Sequence, residues 1–203
     1  MKYLLSLLFI IFFFIASLSR AEQVVFIGGS GGTAQNFVSL QKKIPEAIAV
    51  EPKIYWPLFM SANNVLKQLT EKRVNLKNGV ILVGYCWGGL VARQMEADNP
   101  GLARKVITVG TPSGGFRFAP NFIFTPDDRA SSTPLFVIGA YDSSLPDRWY
   151  GQSENNDGTV TLKSVLAIER PATEIVIFSR MKHGDIMNNP KVIAQILQWV
   201  ISQ

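Results

Sequence analysis

A single cysteine and a single histidine are the residues of this chain best suited to nucleophilic chemistry. Cys86 stands in residues 84–89 (GYCWGG), between an apolar run typical of a buried strand and a segment with helical periodicity. This context matches the nucleophile turn G-x-S-x-G, with Cys in place of Ser. The cramped turn would push the side chain into a cleft, and the N-terminus of the following helix would favour the thiolate. We predict that Cys86 is a nucleophile; the alternative is a buried core cysteine in an ordinary turn.

His183 is the only histidine in the chain and the candidate base for this thiol. It follows the last apolar run that predicts a strand and precedes the last segment with helical periodicity. An imidazole suits proton transfer because its ordinary pKa lies near neutrality. We predict that His183 is the base, and the alternative is a structural or surface histidine.

A carboxylate that orients the histidine is expected between Cys86 and His183 in the chain. Two acids occupy suitable positions. Asp142 closely follows the apolar run 135–140, and Asp157 stands further on in residues 156–160 (NDGTV). The order nucleophile, acid, base holds for both, so the residues alone leave them as alternatives, the other acid being a loop or capping residue.

Backbone N–H groups are expected to stabilise the negative oxygen that forms during acyl transfer. Trp87, the residue after the nucleophile, should supply one of them. Ser30 should supply the other, from the glycine-rich residues 28–32 (GGSGG) that follow the first predicted strand. A phosphate-binding loop is the alternative, but the segment lacks both the P-loop lysine and the spacing G-x-G-x-x-G.

Short apolar runs alternate with helical patterns along the chain. Strands are predicted at residues 24–27, 80–85, 105–109, 135–140 and 175–178, and within residues 47–56, where Pro52 interrupts the pattern. The predicted helices are residues 33–43, 62–73, 87–97 and 191–202. This alternation predicts an α/β fold with a mostly parallel central sheet and helices on both faces. Ligands of such sheets bind beyond the carboxyl ends of the strands.

Aromatic side chains on loop-like segments allow more than one interpretation. They either line an acyl pocket or a small lid, or simply cover the core. They are Phe116, Phe118, Phe122 and Phe124, followed by Trp149 and Tyr150.

Residues 1–21 predict a signal peptide. Lys2 precedes an apolar stretch that runs to about Leu18, and Ser19 and Ala21 supply the small residues of a cleavage site. An uncleaved membrane anchor is the alternative, although the stretch is slightly short for a full span. Residues 22–203 should then form a single domain that is exported to the periplasm or secreted, with membrane contact only through an uncleaved N-terminal segment.

Charge and composition restrict the partners. Loss of Lys2 and Arg20 with the signal lowers the formal net charge from +5 to +3, and no cluster of basic residues is present, so nucleic acid is not an expected partner. One histidine and one cysteine cannot build an ordinary zinc site without several carboxylates. We therefore expect no metal and no cofactor.

From residue 24 to the C-terminal helix, the chain resembles the small, nearly lidless α/β-hydrolase lipases and esterases of bacteria. Residues 28–37 are similar to the family's H-G-x-G-G loop with its following Asn-Phe, which implies Ser30 as an oxyanion donor. Residues 85–89 are similar to the H-S-M-G-G elbow, and residues 110–115 to the G-T-P-H-G-G segment. The family's acid lies in N-D-G-x-V, which implies Asp157, and its catalytic histidine corresponds to His183.

Two residues depart from the family's pattern. Gly28 replaces the histidine of the oxyanion loop, and Cys86 replaces the serine. The segment GYCWGG is similar to the elbow of dienelactone hydrolases, which are α/β-hydrolases with Cys, Asp and His, but which lack an export signal and share little else with this chain. The resemblance implies an α/β-hydrolase fold with a minimal lid or none, and it leaves the substrate open.

Together these features predict an exported hydrolase that cleaves small carboxylic esters or thioesters through an acyl-enzyme on Cys86. An acyltransferase would use the same residues with an alcohol or amine in place of water. A catalytically inactive binding protein on the hydrolase fold is the third possibility, and retention of the thiol, the imidazole, an acid and both glycine-rich loops argues against it.

Overall fold

The computed structural model describes residues 23–30, 34–54, 57–115, 125–145 and 155–202. The predicted signal peptide lies outside these ranges, as do Phe116, Phe118, Phe122, Phe124, Trp149 and Tyr150, so the hypotheses about them remain predictions. Within the described ranges, no helix combines the length and the apolar character needed to cross a membrane.

Six strands of the described residues form one sheet. They are β1 (Val24–Ile27), β2 (Ile48–Val50), β3 (Val80–Tyr85), β4 (Ala103–Val109), β5 (Leu135–Tyr141) and β6 (Glu174–Ser179), in the spatial order β2-β1-β3-β4-β5-β6. All neighbouring strands are parallel. Their carboxyl ends therefore share one side of the sheet, here called the carboxyl edge.

Helices cover both faces of this sheet. They are α1 (Val38–Gln41), α2 (Leu58–Glu71), α3 (Trp87–Asp98), α4 (Leu162–Leu166) and α5 (Pro190–Ile201), with short 3-10 helices at Ala34–Phe37, Leu76–Asn78 and His183–Asn188. Helices α2 and α3 share one hydrophobic cluster with Leu82 and Val137, and α5 shares the opposite cluster with Val83 and Ile138. Because successive strand residues point to opposite faces, a run that is apolar throughout is buried on both sides. The α/β fold with helices on both faces is confirmed.

Three of the predicted elements differ by more than two residues or in helix type. The strand expected within residues 47–56 is the short β2, which ends before Pro52, a residue that cannot donate a backbone hydrogen bond. The helix expected at residues 33–43 is a 3-10 turn followed by the single turn α1, and the turn stacks Phe37 on Phe26 with ring centroids 4.8 Å apart. Helix α2 begins at Leu58 rather than at residue 62, because buried Leu58 extends the apolar stripe of Ala62 by one turn.

A buried cluster of charged side chains fastens α3 to the chain segments beside it. Arg93 on α3 donates two hydrogen bonds to Asp128, at 2.8 and 2.7 Å, and Arg170 donates a third at 3.0 Å. The side chains of all three are at most 2% exposed. Because α3 follows Cys86 directly, this cluster helps to hold the turn that presents the thiol.

Replacing Asp128 with asparagine is expected to lower the free energy of unfolding by about 3–5 kcal/mol, because two buried guanidinium groups lose their shared counter-charge. Denaturation in urea measures the change. Asp127→Asn is the matched control, since this neighbouring carboxylate is exposed, pairs with the exposed Arg129 and should matter little. Equal losses in the two variants would contradict a structural role for the buried cluster.

Candidate active site

Cys86 occupies a strained turn at the carboxyl edge of β3. Its backbone dihedrals are φ 52° and ψ −121°, a conformation that residues other than glycine rarely adopt. The Cys86 N–H donates a 2.8 Å hydrogen bond to the carbonyl of Val109, which fixes the turn against the end of β4. Cys86 is 5% exposed. The turn thus presents the thiol directly before the N-terminus of α3.

The glycine-rich loop that follows β1 touches this turn. A Cβ atom on Gly29 would lie 2.9 Å from the Cβ of Cys86, and one on Gly88 would lie 2.1 Å from the carbonyl oxygen of Ile27. Only glycine permits so close an approach of the loop to the start of α3. Ser30 is exposed and directly follows the glycine that contacts Cys86. Trp87 opens α3, in the turn whose N–H groups point out of the helix end.

Asp157 and His183 form a direct pair. His183 Nδ1 donates a hydrogen bond of 2.6 Å to Asp157 Oδ2, and the His183 backbone N–H donates one of 2.7 Å to the Asp157 carbonyl. The other carboxylate oxygen accepts hydrogen bonds from the backbone N–H groups of Thr159 and Val160, at 2.9 and 2.7 Å. Asp157 is therefore fully engaged, with its side chain buried and one oxygen directed at the imidazole.

Asp142, the competing acid, is occupied elsewhere. Its carboxylate accepts hydrogen bonds from the backbone N–H and the hydroxyl of Ser144, at 3.0 and 2.7 Å. These bonds lower the pKa of Asp142, the hydroxyl contributing most. Asp142 stabilises its own loop, which is the alternative role that the sequence left open for one of the two acids.

The pKa of the His183 imidazole is raised above its ordinary value. Burial alone would lower the pKa of His183, but the hydrogen bond to Asp157 and the nearby Cys86 thiol raise it from 6.5 to about 9. The other ring nitrogen, Nε2, is buried and has no hydrogen-bond partner among the described residues. The Cys86 thiol is therefore close enough to the imidazole to raise its pKa.

This pKa predicts how stability depends on pH. The imidazole binds its proton more tightly in the folded protein, with a pKa of about 9, than in the unfolded chain, where the ordinary value is 6.5. The resulting stabilisation, on the order of 3 kcal/mol, is fully present below the unfolded pKa and is lost as pH rises through the folded pKa. Urea unfolding of the wild type and of His183→Gln across this pH range measures it. A difference between the two proteins that does not change with pH would contradict the prediction.

Tyr85 is a site contact that the sequence analysis missed. Its hydroxyl donates a 2.8 Å hydrogen bond to the backbone carbonyl of His183, and the two rings stack with centroids 5.0 Å apart. An aromatic residue directly before Cys86 was the available signal. Its partner lies 98 positions later in the chain, so spacing gave no hint of the contact.

The assembled residues come from three loops at the carboxyl edge. Cys86 follows β3, Asp157 lies between β5 and β6, and His183 follows β6. The thiol, imidazole and carboxylate are the parts that nucleophilic acyl transfer requires. Within the described ranges, no three His, Cys, Asp or Glu side chains come together as potential metal ligands.

Comparison with solved structures identifies the fold. A lipase from Bacillus licheniformis in its mature form matches with a TM-score of 0.60 and 16% identity, over 90% of this chain and 93% of that one. An α/β-hydrolase enzyme from the metagenome of Moroccan lagoon sediments matches with a TM-score of 0.59 and 15% identity, over 88% and 90%. A carboxylesterase of the thaumarchaeon Nitrososphaera gargenis matches with a TM-score of 0.61 and 12% identity, over 89% of both chains.

At the level of sequence, no family model matches the chain, and neither does any curated protein. The structural matches, together with the parallel six-stranded sheet, establish the α/β-hydrolase fold. Sequence identities this low show the fold alone, so the activity has to be inferred from the site.

Proposed function

We propose that the protein is a hydrolase that cleaves carboxylic ester or thioester bonds through Cys86, His183 and Asp157. The observation that carries the proposal is the 2.6 Å pair of His183 and Asp157 beside the strained turn that presents Cys86. The names lipase and carboxylesterase among the proteins that share the fold support the same reaction class.

In the first half of the reaction, Cys86 Sγ attacks the carbonyl carbon of the substrate. His183 Nε2 holds the thiol proton, while Asp157 keeps the ring oriented through Nδ1. The oxyanion receives hydrogen bonds from the backbone N–H groups of Trp87 and Ser30. When the tetrahedral intermediate collapses, the bond to the alcohol or thiol breaks and His183 protonates the leaving group.

In the second half, water releases the acyl group from Cys86. Neutral His183 takes a proton from water as the water oxygen attacks the thioester carbonyl. Collapse of the second intermediate frees the carboxylic acid and returns the proton to the Cys86–His183 pair. Side chains of the chain thus supply the nucleophile, the base and the orienting acid, and its backbone supplies the oxyanion donors.

The compartment is part of the proposal. We infer that residues 1–21 are a cleaved signal peptide and that the enzyme acts outside the cytoplasm. Mass spectrometry of the protein recovered from the periplasm or medium tests this inference. A mature N-terminus at residue 22 is expected, and an intact N-terminus in the cytoplasm would contradict it.

The reaction is tested with matched oxygen esters and thioesters that share one acyl group. We expect turnover, and we expect intact-protein mass spectrometry of a quenched reaction to show one acyl group on a peptide that contains Cys86. Transfer to an added alcohol or amine faster than to water would identify an acyltransferase instead. Absence of both acylation and turnover across short and long acyl chains would refute the proposed function.

A further inference from the structure

Tyr85 connects the turn that contains Cys86 with the loop that contains His183. It is 6% exposed, ends β3 and directly precedes Cys86 in the chain. Its hydroxyl donates a 2.8 Å hydrogen bond to the backbone carbonyl of His183. Its ring lies against the imidazole with centroids 5.0 Å apart and planes inclined by 29°.

His183 is consequently held at both its backbone and its ring. Asp157 accepts from the His183 backbone N–H at 2.7 Å and from Nδ1 at 2.6 Å. Tyr85 supplies the complementary contacts, at the backbone carbonyl and at one ring face. Without Tyr85, the His183 carbonyl would lose this hydrogen bond and one face of its ring would lose its aromatic contact, while the hydrogen bonds to Asp157 would remain.

We propose that Tyr85 is a positioning residue that fixes the imidazole of His183 relative to the Cys86 thiol. The inference rests on the proposed function. Because Tyr85 and Cys86 are adjacent in the chain, a contact from Tyr85 to His183 fixes the base with respect to the nucleophile itself. Small displacements of reacting groups lower rates steeply, so a contact that fixes the distance between base and nucleophile should raise kcat.

The protonation state of the Tyr85 hydroxyl agrees with this positioning role. Burial raises the pKa of Tyr85 well above its ordinary value, and the charges of Cys86, Asp157 and Asp185 raise it further. The hydroxyl therefore keeps its proton and remains a donor to the His183 carbonyl. The ring face also favours a cation beside it, since aromatic faces carry partial negative charge.

Two substitutions separate the hydroxyl from the ring. Tyr85→Phe removes only the hydrogen bond, and we expect kcat to fall roughly tenfold with little change in KM, since the base is displaced while substrate binding is not. Tyr85→Leu also removes the stacking and should cost roughly a hundredfold. Tyr141→Phe is the matched control, because Tyr141 also ends a strand at the carboxyl edge, on β5, and should leave kcat unchanged.

A second readout does not depend on turnover. The chain has one histidine, so the imidazole Cε1–H resonance in an NMR titration belongs to His183 without assignment. In Tyr85→Phe we expect this resonance to move and the apparent pKa of His183 to fall from about 9 towards its ordinary value. Tyr141→Phe should match the wild type.

The outcomes are decisive in each direction. A fall in kcat together with a lowered His183 pKa in Tyr85→Phe establishes the positioning role, even if Tyr85→Leu fails to fold. An unchanged kcat, or a fall in kcat with an unaltered His183 titration, overturns it. A wild type that turns over no ester or thioester refutes the proposed function, whereas the titration still shows whether Tyr85 holds the imidazole.

Discussion

Replacing Cys86 with alanine is expected to lower kcat by roughly 10⁴-fold or more, because the strained turn then presents no nucleophile and only the oxyanion contacts and binding remain. Alanine keeps the small volume of the side chain, so the fold should persist. Steady-state rates on a matched ester and thioester, with circular dichroism as a check of folding, measure the effect. Acylation of the variant should be undetectable by mass spectrometry.

Cys86→Ser is the informative control for this prediction. A serine hydroxyl must lose its proton to a neutral imidazole, and the hydrogen bond to Asp157 still raises the pKa of His183 in this variant although the contribution of Cys86 is lost. We therefore expect the serine variant to be slow near neutral pH and to gain rate as pH rises. Retention of wild-type activity by Cys86→Ala would remove the thiol from the mechanism altogether.

Asp157→Asn is expected to lower kcat by roughly 10²–10⁴-fold, because an amide no longer selects the tautomer that leaves Nε2 ready for the thiol proton. The amide oxygen can still accept from the backbone N–H groups of Thr159 and Val160, so the loop should keep its conformation. Both kcat and the His183 titration report the change, and the pKa of His183 should fall with the lost carboxylate.

Asp142→Asn provides the comparison. Asp142 accepts hydrogen bonds from Ser144 within its own loop, so its substitution should leave kcat close to that of the wild type. Loss of activity in Asp142→Asn alone, with both variants folded, would show that Asp157 is not the acid of the triad.

The region around Cys86 could be predicted from sequence because its signals are local. The apolar run of β3, the flanking glycines and the helical pattern of α3 are contiguous, and together they define a sharp strand-to-helix turn. The alternation of strands and helices along the chain and the burial of both sheet faces follow the same logic, since they depend on the periodicity of short segments.

The choice between Asp142 and Asp157 depends on how a loop folds, which periodicity does not reveal. Both acids lie between β5 and β6. Only the folded loop shows that the Asp157 carboxylate reaches Nδ1 of His183 while Asp142 turns to Ser144. The family resemblance, rather than the pattern of residues, pointed to Asp157.

Contacts between distant segments were missed for the same reason. Tyr85 is the last residue of a predicted strand, and Arg93 lies within the predicted helix 87–97, and neither prediction indicates a partner far along the chain. Tyr85 instead contacts His183, and Arg93 is buried against Asp128, 35 residues away. Such pairs become visible only when the sheet has brought the segments together.

Burial of the Cys86 thiol also determines how the protein can be handled. Because Cys86 is only 5% exposed, its sulfur can meet a small molecule but not the surface of another folded molecule. The chain has no second cysteine with which to close a bridge. The protein should therefore remain free of disulfide-linked dimers when stored in air without a reducing agent, as a non-reducing gel would show, whereas a small oxidant such as hydrogen peroxide should still reach the sulfur.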